Sequence, residues 1–119
     1  MDKPSRTQPN EKNQIREERP YCGIIMPLAA MGVYEKSHWD RVRIAIDEAV
    51  EAAEFRPRVV SESEDIGVIH SSIVQNLHDD PIVVCDVSGK NANVMFELGM
   101  RLAFDKPTIV IKDDQTDYS

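Results

Sequence analysis

The chain has 119 residues, 41% of them apolar and 29% charged, an ordinary composition for one globular domain. Its 14 basic and 21 acidic residues give a formal net charge of −7, which argues against binding to an extended nucleic acid, because phosphates require a basic face. No stretch approaches the roughly 20 apolar residues of a membrane span, and the amino terminus has no apolar signal core, so we expect a cytoplasmic protein.

The first 20 residues are polar, with prolines at positions 4, 9 and 20 and a charged run from Arg16 to Arg19. Such a segment buries too little apolar surface to offset the conformational entropy that it would lose on folding. We therefore predict a disordered leader over residues 1–20 and a single domain over residues 21–119.

Strands and helices alternate along that domain. The predicted strands are Cys22–Leu28, Arg58–Val60 after Pro57, Ile82–Val87 and Thr108–Ile111. The predicted helices are one capped by Ser37 with a stripe from Trp39 to Ala53, one with the stripe Ile66, Ile69, Ile73 and Leu77, and one over Val94–Phe104. This order predicts an α/β fold of the flavodoxin or Rossmann-like type, in which a doubly wound parallel sheet of four to five strands lies between two helical layers.

Four strands are few for this class of fold, so one sheet edge is expected to be open. Two explanations stay open from the sequence. The chain is a fragment that lacks a final strand and helix, or another chain covers that edge in a homodimer or a larger assembly.

The two cysteines, Cys22 and Cys85, each lie inside an apolar run. They lack Cys-x-x-Cys spacing, and no cluster of His and Cys indicates a zinc site. We therefore predict two reduced core thiols, with neither a bound metal nor a cofactor.

The carboxyl ends of parallel strands meet along one edge of the sheet, where ligands of open α/β folds bind. That edge is predicted to collect residues 27–32, 61–65, 86–93 and the chain from Asp113 onward. The third of these loops is rich in polar side chains. It contains Asp86, Ser88, Gly89, Lys90, Asn91 and Asn93.

The residue types in that loop suit a sugar or a phosphate. Asp86 can accept hydrogen bonds from sugar hydroxyls, and Gly89 permits a tight turn or a close approach by a ligand. Asn93 is predicted to cap the following helix. Taken singly, Asp86 and Asn93 are also explained by the turn and the cap, and it is their convergence at one edge that indicates a site.

Glu97 follows one helical turn after Asn93 and is the residue on which we expect the chemistry to depend. Its place near the start of a helix favours the carboxylate form through the helix dipole. A glutamate on a helix is most often solvated, so this assignment again relies on the surrounding polar residues. Gly99, which costs a helix about 1 kcal/mol relative to alanine, is expected to pack closely on the sheet.

The segment CDVSGKNANVMFELGMRLAFDKPTIVI resembles the signature of nucleoside 2-deoxyribosyltransferase-like domains, which are related to TIR-type NAD-cleaving domains. The matching features are a buried strand ending in Asp86, the hydroxyl of Ser88, Asn-x-Asn-Val at residues 91–94, Glu-Leu-Gly at residues 97–99, and Lys106-Pro107. The first strand with its Met-Pro loop extends the resemblance over residues 21–114.

The resemblance implies that the protein cleaves or exchanges the N-glycosidic bond of a nucleoside, a nucleotide or NAD. Glu97 would be the nucleophile, and Asp86 would position ribose hydroxyls as a second catalytic residue. The implied substrate-binding residues are Met26, Pro27, Ser88, Gly89, Asn91 and Asn93. Met31 or Tyr34 is expected to lie against the base.

One departure from the family pattern bears on the reaction. Asn91 stands where classical transferases carry an acidic residue that handles the proton of the base, so hydrolysis fits at least as well as base exchange. Two alternatives stay open: a module that senses a nucleotide without turnover, and a TIR-like interaction domain. Many domains of the extended group resemble nucleotide-depleting effectors of bacterial defence.

Overall fold

The structure, a computed structural model, describes residues 9–61 and 71–118. Within them the strands are β1 (Tyr21–Ile25), β2 (Arg56–Val59), β3 (Ile82–Asp86) and β4 (Thr108–Ile111). The helices are α1 (Pro9–Glu18), α2 (Lys36–Ala52), α3 (Ser71–Asp79) and α4 (Ala92–Ala103), and a short 3-10 turn spans Ser88–Lys90.

The four strands form one parallel sheet in the order β2-β1-β3-β4. The chain runs from β1 outward to β2 and then crosses back to β3 on the other side. This reversal opens a crevice between the carboxyl ends of β1 and β3, where such folds bind ligands. The predicted parallel α/β fold is confirmed.

Helices cover both faces of the sheet, which gives the predicted three layers. The core under α2 contains Cys22, Ile24, Met26, Trp39, Ile46, Val50 and Val59. The core under α3 and α4 contains Ile25, Val60, Ile73, Leu77, Val83, Cys85, Val87, Val94 and Leu98. Each helix therefore contributes its apolar stripe to one face of the sheet.

Both cysteines are buried and free, as predicted. Burial raises the pKa of Cys22 to about 11 and that of Cys85 to about 12. Both thiols are therefore protonated at neutral pH and act as small apolar groups of the core.

The start of β2 and the cap of α2 differ from the sequence prediction. Pro57 lies inside β2, which an edge strand tolerates because a proline nitrogen that faces away from the neighbouring strand removes no ladder bond. Ser37 does not cap α2, which begins at Lys36 after Glu35 without a side-chain cap. In the second predicted helix, Ile66 and Ile69 lie outside the described residues, whereas Ile73 and Leu77 are buried on α3.

The amino-terminal segment also differs from the prediction, since α1 occupies part of the expected disordered leader. An ion pair of 3.0 Å between Arg16 and Glu51 joins it to α2. The segment is rich in Glu, Lys, Gln and Arg, which favour a helix, and Pro9 suits a first helical turn. The helix preference of these residues therefore accounts for α1, even though its apolar residue Ile15 remains exposed and adds no burial. Residues 1–8 lie outside the described residues.

Asn91 caps α4, so the prediction that Asn93 does so is wrong. The Asn91 Oδ1 atom accepts a hydrogen bond from the Val94 amide at 3.0 Å, whereas Asn93 is exposed. We expect Asn91→Ala to lower the free energy of unfolding by about 1 kcal/mol. The matched change Asn93→Ala should cost less than about 0.5 kcal/mol. Urea unfolding measures both, and equal costs would contradict the cap.

Candidate active site at the carboxyl edge of the sheet

Glu97 lies on the inward face of α4. The buried residues of this helix are Val94, Glu97, Leu98 and Arg101, spaced three or four apart as expected for one side of a helix. The Glu97 side chain is 8% exposed. It is therefore not the solvated residue that glutamate usually is in a surface helix. Gly99 is exposed, and a Cβ added there would meet nothing within 4 Å, so the prediction that it packs closely on the sheet is wrong.

Burial raises the pKa of Glu97, and a hydrogen bond with the Ser61 side chain opposes part of that rise. Within residues 9–61 and 71–118, no salt bridge to this carboxylate is found. The direction of this pKa shift is therefore opposite to the one that the sequence predicted from the helix dipole. Carboxyl groups with a shifted pKa cluster at functional sites, which makes Glu97 a candidate site residue.

Asp86 and Glu97 lie near the same end of β3, because both of their charges act on the thiol of Cys85. Burial is the main cause of the raised pKa of Cys85, and the charges of Asp86 and Glu97 add to it. Ser61 follows β2 by two residues, so it reaches Glu97 from the same edge of the sheet. Side chains that follow β2, end β3 and project from α4 therefore converge at the carboxyl edge.

Asp86 is buried and holds the turn that follows β3. Its Oδ1 atom accepts a hydrogen bond from the Ser88 amide at 2.9 Å. This contact is the structural role that the sequence allowed for an aspartate at a turn. The negative charge of Asp86 also contributes to the raised pKa of Tyr118, after burial and Cys85, so this phenol lies within electrostatic reach of the carboxylate.

Gly89 is required by the shape of the turn. Its φ of 77° lies in the left-handed region, which residues with a Cβ rarely adopt. A Cβ at this position would also lie 3.0 Å from Met31 Cε and 3.0 Å from Tyr34 Cε2. The close approach that the sequence predicted for a ligand is made here by two side chains of the loop before α2.

The segment of residues 113–118, which we call the tail, folds across this turn. The Asp113 amide donates to Ser88 Oγ at 2.7 Å, and the Gly89 amide donates to Thr116 Oγ1 at 3.0 Å. The Tyr118 hydroxyl donates to the Val87 carbonyl at 2.6 Å. Polar atoms of the turn that were predicted to bind substrate are therefore bonded to the tail.

Tyr34 fixes the tail from the other side of the edge. Its hydroxyl donates to the Asp113 carboxylate at 2.5 Å and also contacts Thr116 Oγ1 at 3.2 Å. The bond from Tyr34 is the largest cause that lowers the pKa of Asp113, to about 2. Asp113 therefore stays charged at all physiological pH values, and the tail contact does not titrate away.

The structure brings together part of the predicted site. Asp86, Ser88 and Gly89 belong to the turn at the end of β3, and Glu97 lies within electrostatic reach of Cys85 on that strand. Met26 lies in the core under α2, and Pro27 is buried directly after it. The Asn91 side chain is engaged as a helix cap, and its amide nitrogen lies 3.4 Å from Met31 Sδ. Asn93 is exposed at the start of α4.

Two groups of contacts were not assigned from the sequence. Ser61 was placed at the correct edge without a role, and its partner Glu97 belongs to a distant helix. Thr116 and Asp113 were placed on a loop at the edge, but not across the turn. Such pairings depend on the tertiary arrangement, and no local pattern around these residues indicates them.

A cleft of about 440 Å³ lies beside the tail. It is lined by Val33, Tyr34, Glu35, Ser37, His38, Arg41, Asp113, Asp114 and Gln115. Glu97 does not line it. We place the candidate chemistry at Glu97 because its carboxyl group is buried and the pKa of that group is raised. Residues 62–70, which follow Ser61, lie outside the described residues.

Two features are absent from the described segments. No helix in them is long and apolar enough to cross a membrane. In the same segments, no group of three or more His, Cys, Asp and Glu side chains is arranged to hold a metal ion.

Comparison with known proteins finds a similar fold among solved structures. No protein-family model and no curated protein matches the chain. Among solved structures, the chain is similar to a 2-deoxyribosyltransferase from Leishmania mexicana, with 15% sequence identity and a TM-score of 0.57. The match covers 78% of this chain and 65% of the other, so this chain spans about two thirds of that protein's length. The two proteins share a fold.

Proposed function

We propose that the protein cleaves or exchanges the N-glycosidic bond of a nucleoside, a nucleotide or NAD, with Glu97 as the nucleophile. The observation that carries this proposal is the burial of the Glu97 carboxyl group at the ligand-binding edge, next to the Ser61 hydroxyl. Burying a carboxylate destabilises a fold unless a cation pairs with it, so its position needs a reason outside stability. The shared fold with a 2-deoxyribosyltransferase supports this class of bond.

The proposed reaction proceeds in two displacements. A Glu97 oxygen attacks C1′ of the sugar as the bond to the base breaks, and the bonding electron pair leaves with the base, which takes a proton from solvent. The carboxylate stabilises the positive charge that develops at C1′ and the ring oxygen. Water or a second base then attacks C1′ and releases Glu97, so the configuration at C1′ is retained.

The residues around Glu97 supply positioning. Ser61 holds the carboxyl group by its hydrogen bond and thereby fixes the attacking oxygen. Asp86 uses Oδ1 to hold the Ser88 turn, and its second oxygen is proposed to accept a ribose hydroxyl. These contacts would align the sugar before attack, which is a large part of such catalysis.

Hydrolysis is favoured over base exchange. Asn91 stands where the family's transferases have an acidic residue, and its side chain is occupied by Val94 and Met31. An amide in these contacts supplies no proton to a departing base and takes none from an incoming one. A water molecule that attacks C1′ can lose its proton to the solvent, so water is the preferred second reactant.

The test is base release from a panel of NAD, nucleosides and 5′-nucleotides in ribo and 2′-deoxy forms, followed by chromatography. We expect at least one compound to release its base. Mass spectrometry of the quenched reaction should find a pentosyl ester on the peptide that contains Glu97. Absence of base release from every compound, at enzyme concentrations near those of substrate, would refute the proposal.

A second candidate is a module that senses a nucleotide without turnover, with or without a TIR-like interaction role. It is favoured by the tail, because a ligand at Ser88 and Gly89 would have to displace bonds to Asp113 and Thr116. Ligand binding would then change the exposure of the tail. Tight binding of a panel compound without base release would support this candidate against the enzyme.

A further inference from the structure

Lys90 brings an exposed positive charge to the turn that follows β3. Its ammonium nitrogen lies 4.8 Å from the centroid of the Tyr118 ring, and in the described part of the chain this group forms no ion pair. By contrast, a hydrogen bond to an oxygen atom is donated by the Nζ atoms of Lys36, Lys106 and Lys112. The N–H donors of Lys90 therefore remain available to an incoming acceptor.

The backbone of Lys90 has a conformation that a lysine seldom adopts. Its φ of 57° lies in the left-handed region, directly after Gly89 with a φ of 77°. Glu54 and Asp105 also have a positive φ, but each follows the C-cap residue of a helix, where this conformation is a common ending. Lys90 instead ends the short turn after β3, where glycine or asparagine would fit with less strain. Strained residues cluster at functional sites, so the choice of lysine points to a role for its side chain.

The carboxylates near this turn are held by hydrogen bonds, whereas the charge of Lys90 is not. Asp86 accepts a bond from the Ser88 amide, and Asp113 accepts bonds from the Tyr34 hydroxyl and from two amides of the tail. These dipoles offset part of the negative charge that an anionic ligand would meet. The phosphate is the only negatively charged group of the proposed substrates, and lysine binds phosphate as a point charge. Lys90 can therefore distinguish a nucleotide or NAD from a nucleoside.

Tyr118 lies against both Lys90 and the proposed position of the sugar. Its hydroxyl donates to the Val87 carbonyl at 2.6 Å and lies within electrostatic reach of Asp86, while the ammonium of Lys90 lies over its ring. A ribose 5′-phosphate likewise carries hydroxyl groups at one end and its phosphate at the other. A substrate whose hydroxyl groups bond to Asp86 would bring its phosphate towards Lys90 in place of this ring.

We propose that Lys90 selects 5′-phosphorylated substrates and that it releases the Tyr118 ring in order to bind the substrate phosphate. In the free protein, Lys90 holds the tail through its contact with the ring. In the complex it binds the phosphate, and the tail loses this contact as it leaves the turn. A charge-assisted bond to phosphate is stronger than the contact of an exposed ammonium with a ring, so the change of partner is favourable. The role of Lys90 rests on the proposed function, which puts the sugar of the substrate at this edge.

Equilibrium binding to Glu97→Gln, in which turnover is expected to be blocked, measures the selection. The ligands are matched pairs of a nucleoside and its 5′-monophosphate, with nicotinamide riboside, its mononucleotide and NAD to separate monophosphates from diphosphates. We expect the phosphorylated member of a pair to bind about tenfold more tightly or better. Equal or weaker binding of the phosphorylated members would overturn the role of Lys90 and leave glycosidic cleavage standing. No binding and no base release with any compound would refute both.

Lys90→Asn, made in the same background, is expected to change the two classes of ligand in opposite directions. Loss of the charge should weaken the phosphorylated ligands about tenfold. Loss of the hold on Tyr118 should make nucleosides bind about twofold to fivefold more tightly. Asparagine tolerates the left-handed conformation, so urea unfolding should find no loss of stability. An unchanged preference between the two classes would overturn the proposal.

Two further variants separate the position of the charge from its presence at the edge. Lys90→Arg keeps the positive charge and should keep the preference for phosphorylated ligands. Lys112→Asn removes the same charge from an exposed residue directly after β4, and should change the preference less than about twofold, because solvent and salt screen exposed charges. Equal losses of preference in Lys112→Asn and Lys90→Asn would contradict a specific role for Lys90.

Hydrogen exchange of the Gly89 amide tests the release of the tail without any turnover. This amide donates to Thr116 Oγ1 at 3.0 Å, so its protection reports whether the tail is in place. Inorganic pyrophosphate carries the charge without the sugar, and should speed this exchange about threefold or more in the wild type and leave Lys90→Asn unchanged. Sodium chloride at the same ionic strength is the control. Equal exchange rates in pyrophosphate and in chloride would overturn the proposed link between phosphate and tail.

Discussion

Glu97→Gln is expected to abolish base release and, at the same time, to make the protein more stable at neutral pH. A glutamine oxygen is a poor nucleophile, so the rate should fall at least about a thousandfold. The stability gain has a separate cause. Burial raises the pKa of Glu97, which means that holding its charged form inside the protein is unfavourable. Glutamine keeps the shape and the bond to Ser61 without that charge, and should add about 1 kcal/mol or more to the free energy of unfolding.

The pH dependence of stability separates this effect from general repacking. Because the pKa of Glu97 is higher in the folded than in the unfolded state, the folded protein binds more protons between these two pKa values. The wild type therefore loses stability as the pH rises through that window, whereas Glu97→Gln does not. Below the unfolded pKa of a glutamate, near 4.3, the two proteins should differ little.

Thermal unfolding at pH 4 and at pH 7, with Glu48→Gln on the exposed face of α2 as the control, measures the difference. The control should change the free energy of unfolding by less than about 0.5 kcal/mol at either pH. The acid limb of kcat/KM should lie above the pH at which an exposed glutamate titrates, since the attacking form is the carboxylate. A Glu97→Gln protein that retains full activity would exclude Glu97 as the nucleophile.

Arg101→Met is expected to be the most destabilising single change that the structure indicates, with a loss of about 3–5 kcal/mol. The Arg101 side chain is fully buried. Its Nη1 atom donates to the Leu77 carbonyl at 2.9 Å, and its Nη2 atom donates to the Pro107 carbonyl at 2.8 Å. These two bonds join the end of α3 to the start of β4, so their loss leaves two carbonyl groups without this donor.

Asp80 adds an electrostatic reason for this loss. It is buried, it is paired with Arg58, and the charges of Arg58 and Arg101 oppose the rise in its pKa that burial causes. Gly23 allows the carboxylate this place, since a Cβ there would lie 2.5 Å from Asp80 Oδ2. Without Arg101, the buried carboxylate would keep one cationic neighbour instead of two.

Urea unfolding measures the effect of Arg101→Met against Arg41→Met, which changes an exposed arginine of α2. The control should shift the free energy of unfolding by less than about 0.5 kcal/mol. Because a small domain has a total stability of about 5–15 kcal/mol, the Arg101 variant should unfold at much lower urea concentrations. A loss below about 1 kcal/mol in the free energy of unfolding would show that the hydrogen bonds of the buried guanidinium contribute little to stability.

The fold was predictable because its signals are local. The bounds of β4 match the prediction, since four β-branched residues follow Pro107 and precede charged residues. The α4 cap was not predictable, because Asn91 and Asn93 have the same preference for that position. The choice between them depends on where the turn after β3 ends, and that turn contains Gly89 with a left-handed φ of 77°.

The candidate site was predictable in its position and not in its electrostatics. The sequence places Glu97 on the helix that follows β3, and that is where the structure has it. Its pKa depends on burial and on Ser61, which belong to the tertiary arrangement. In the same way, the bond from Tyr34 to Asp113 joins residues 79 positions apart, and no pattern in either segment indicates it.

A ligand that binds at the Gly89 turn as proposed would have to displace the hydrogen bond from the Gly89 amide to Thr116 Oγ1. The tail is tethered beside the turn, so its effective concentration there is in the millimolar range or above. A weakly held compound leaves the tail in place, and a compound that gains enough elsewhere at the edge displaces it. For a ligand that binds at this turn as proposed, the tail would raise the apparent dissociation constant by a constant factor, and shortening of the chain after Asp113 would remove that factor.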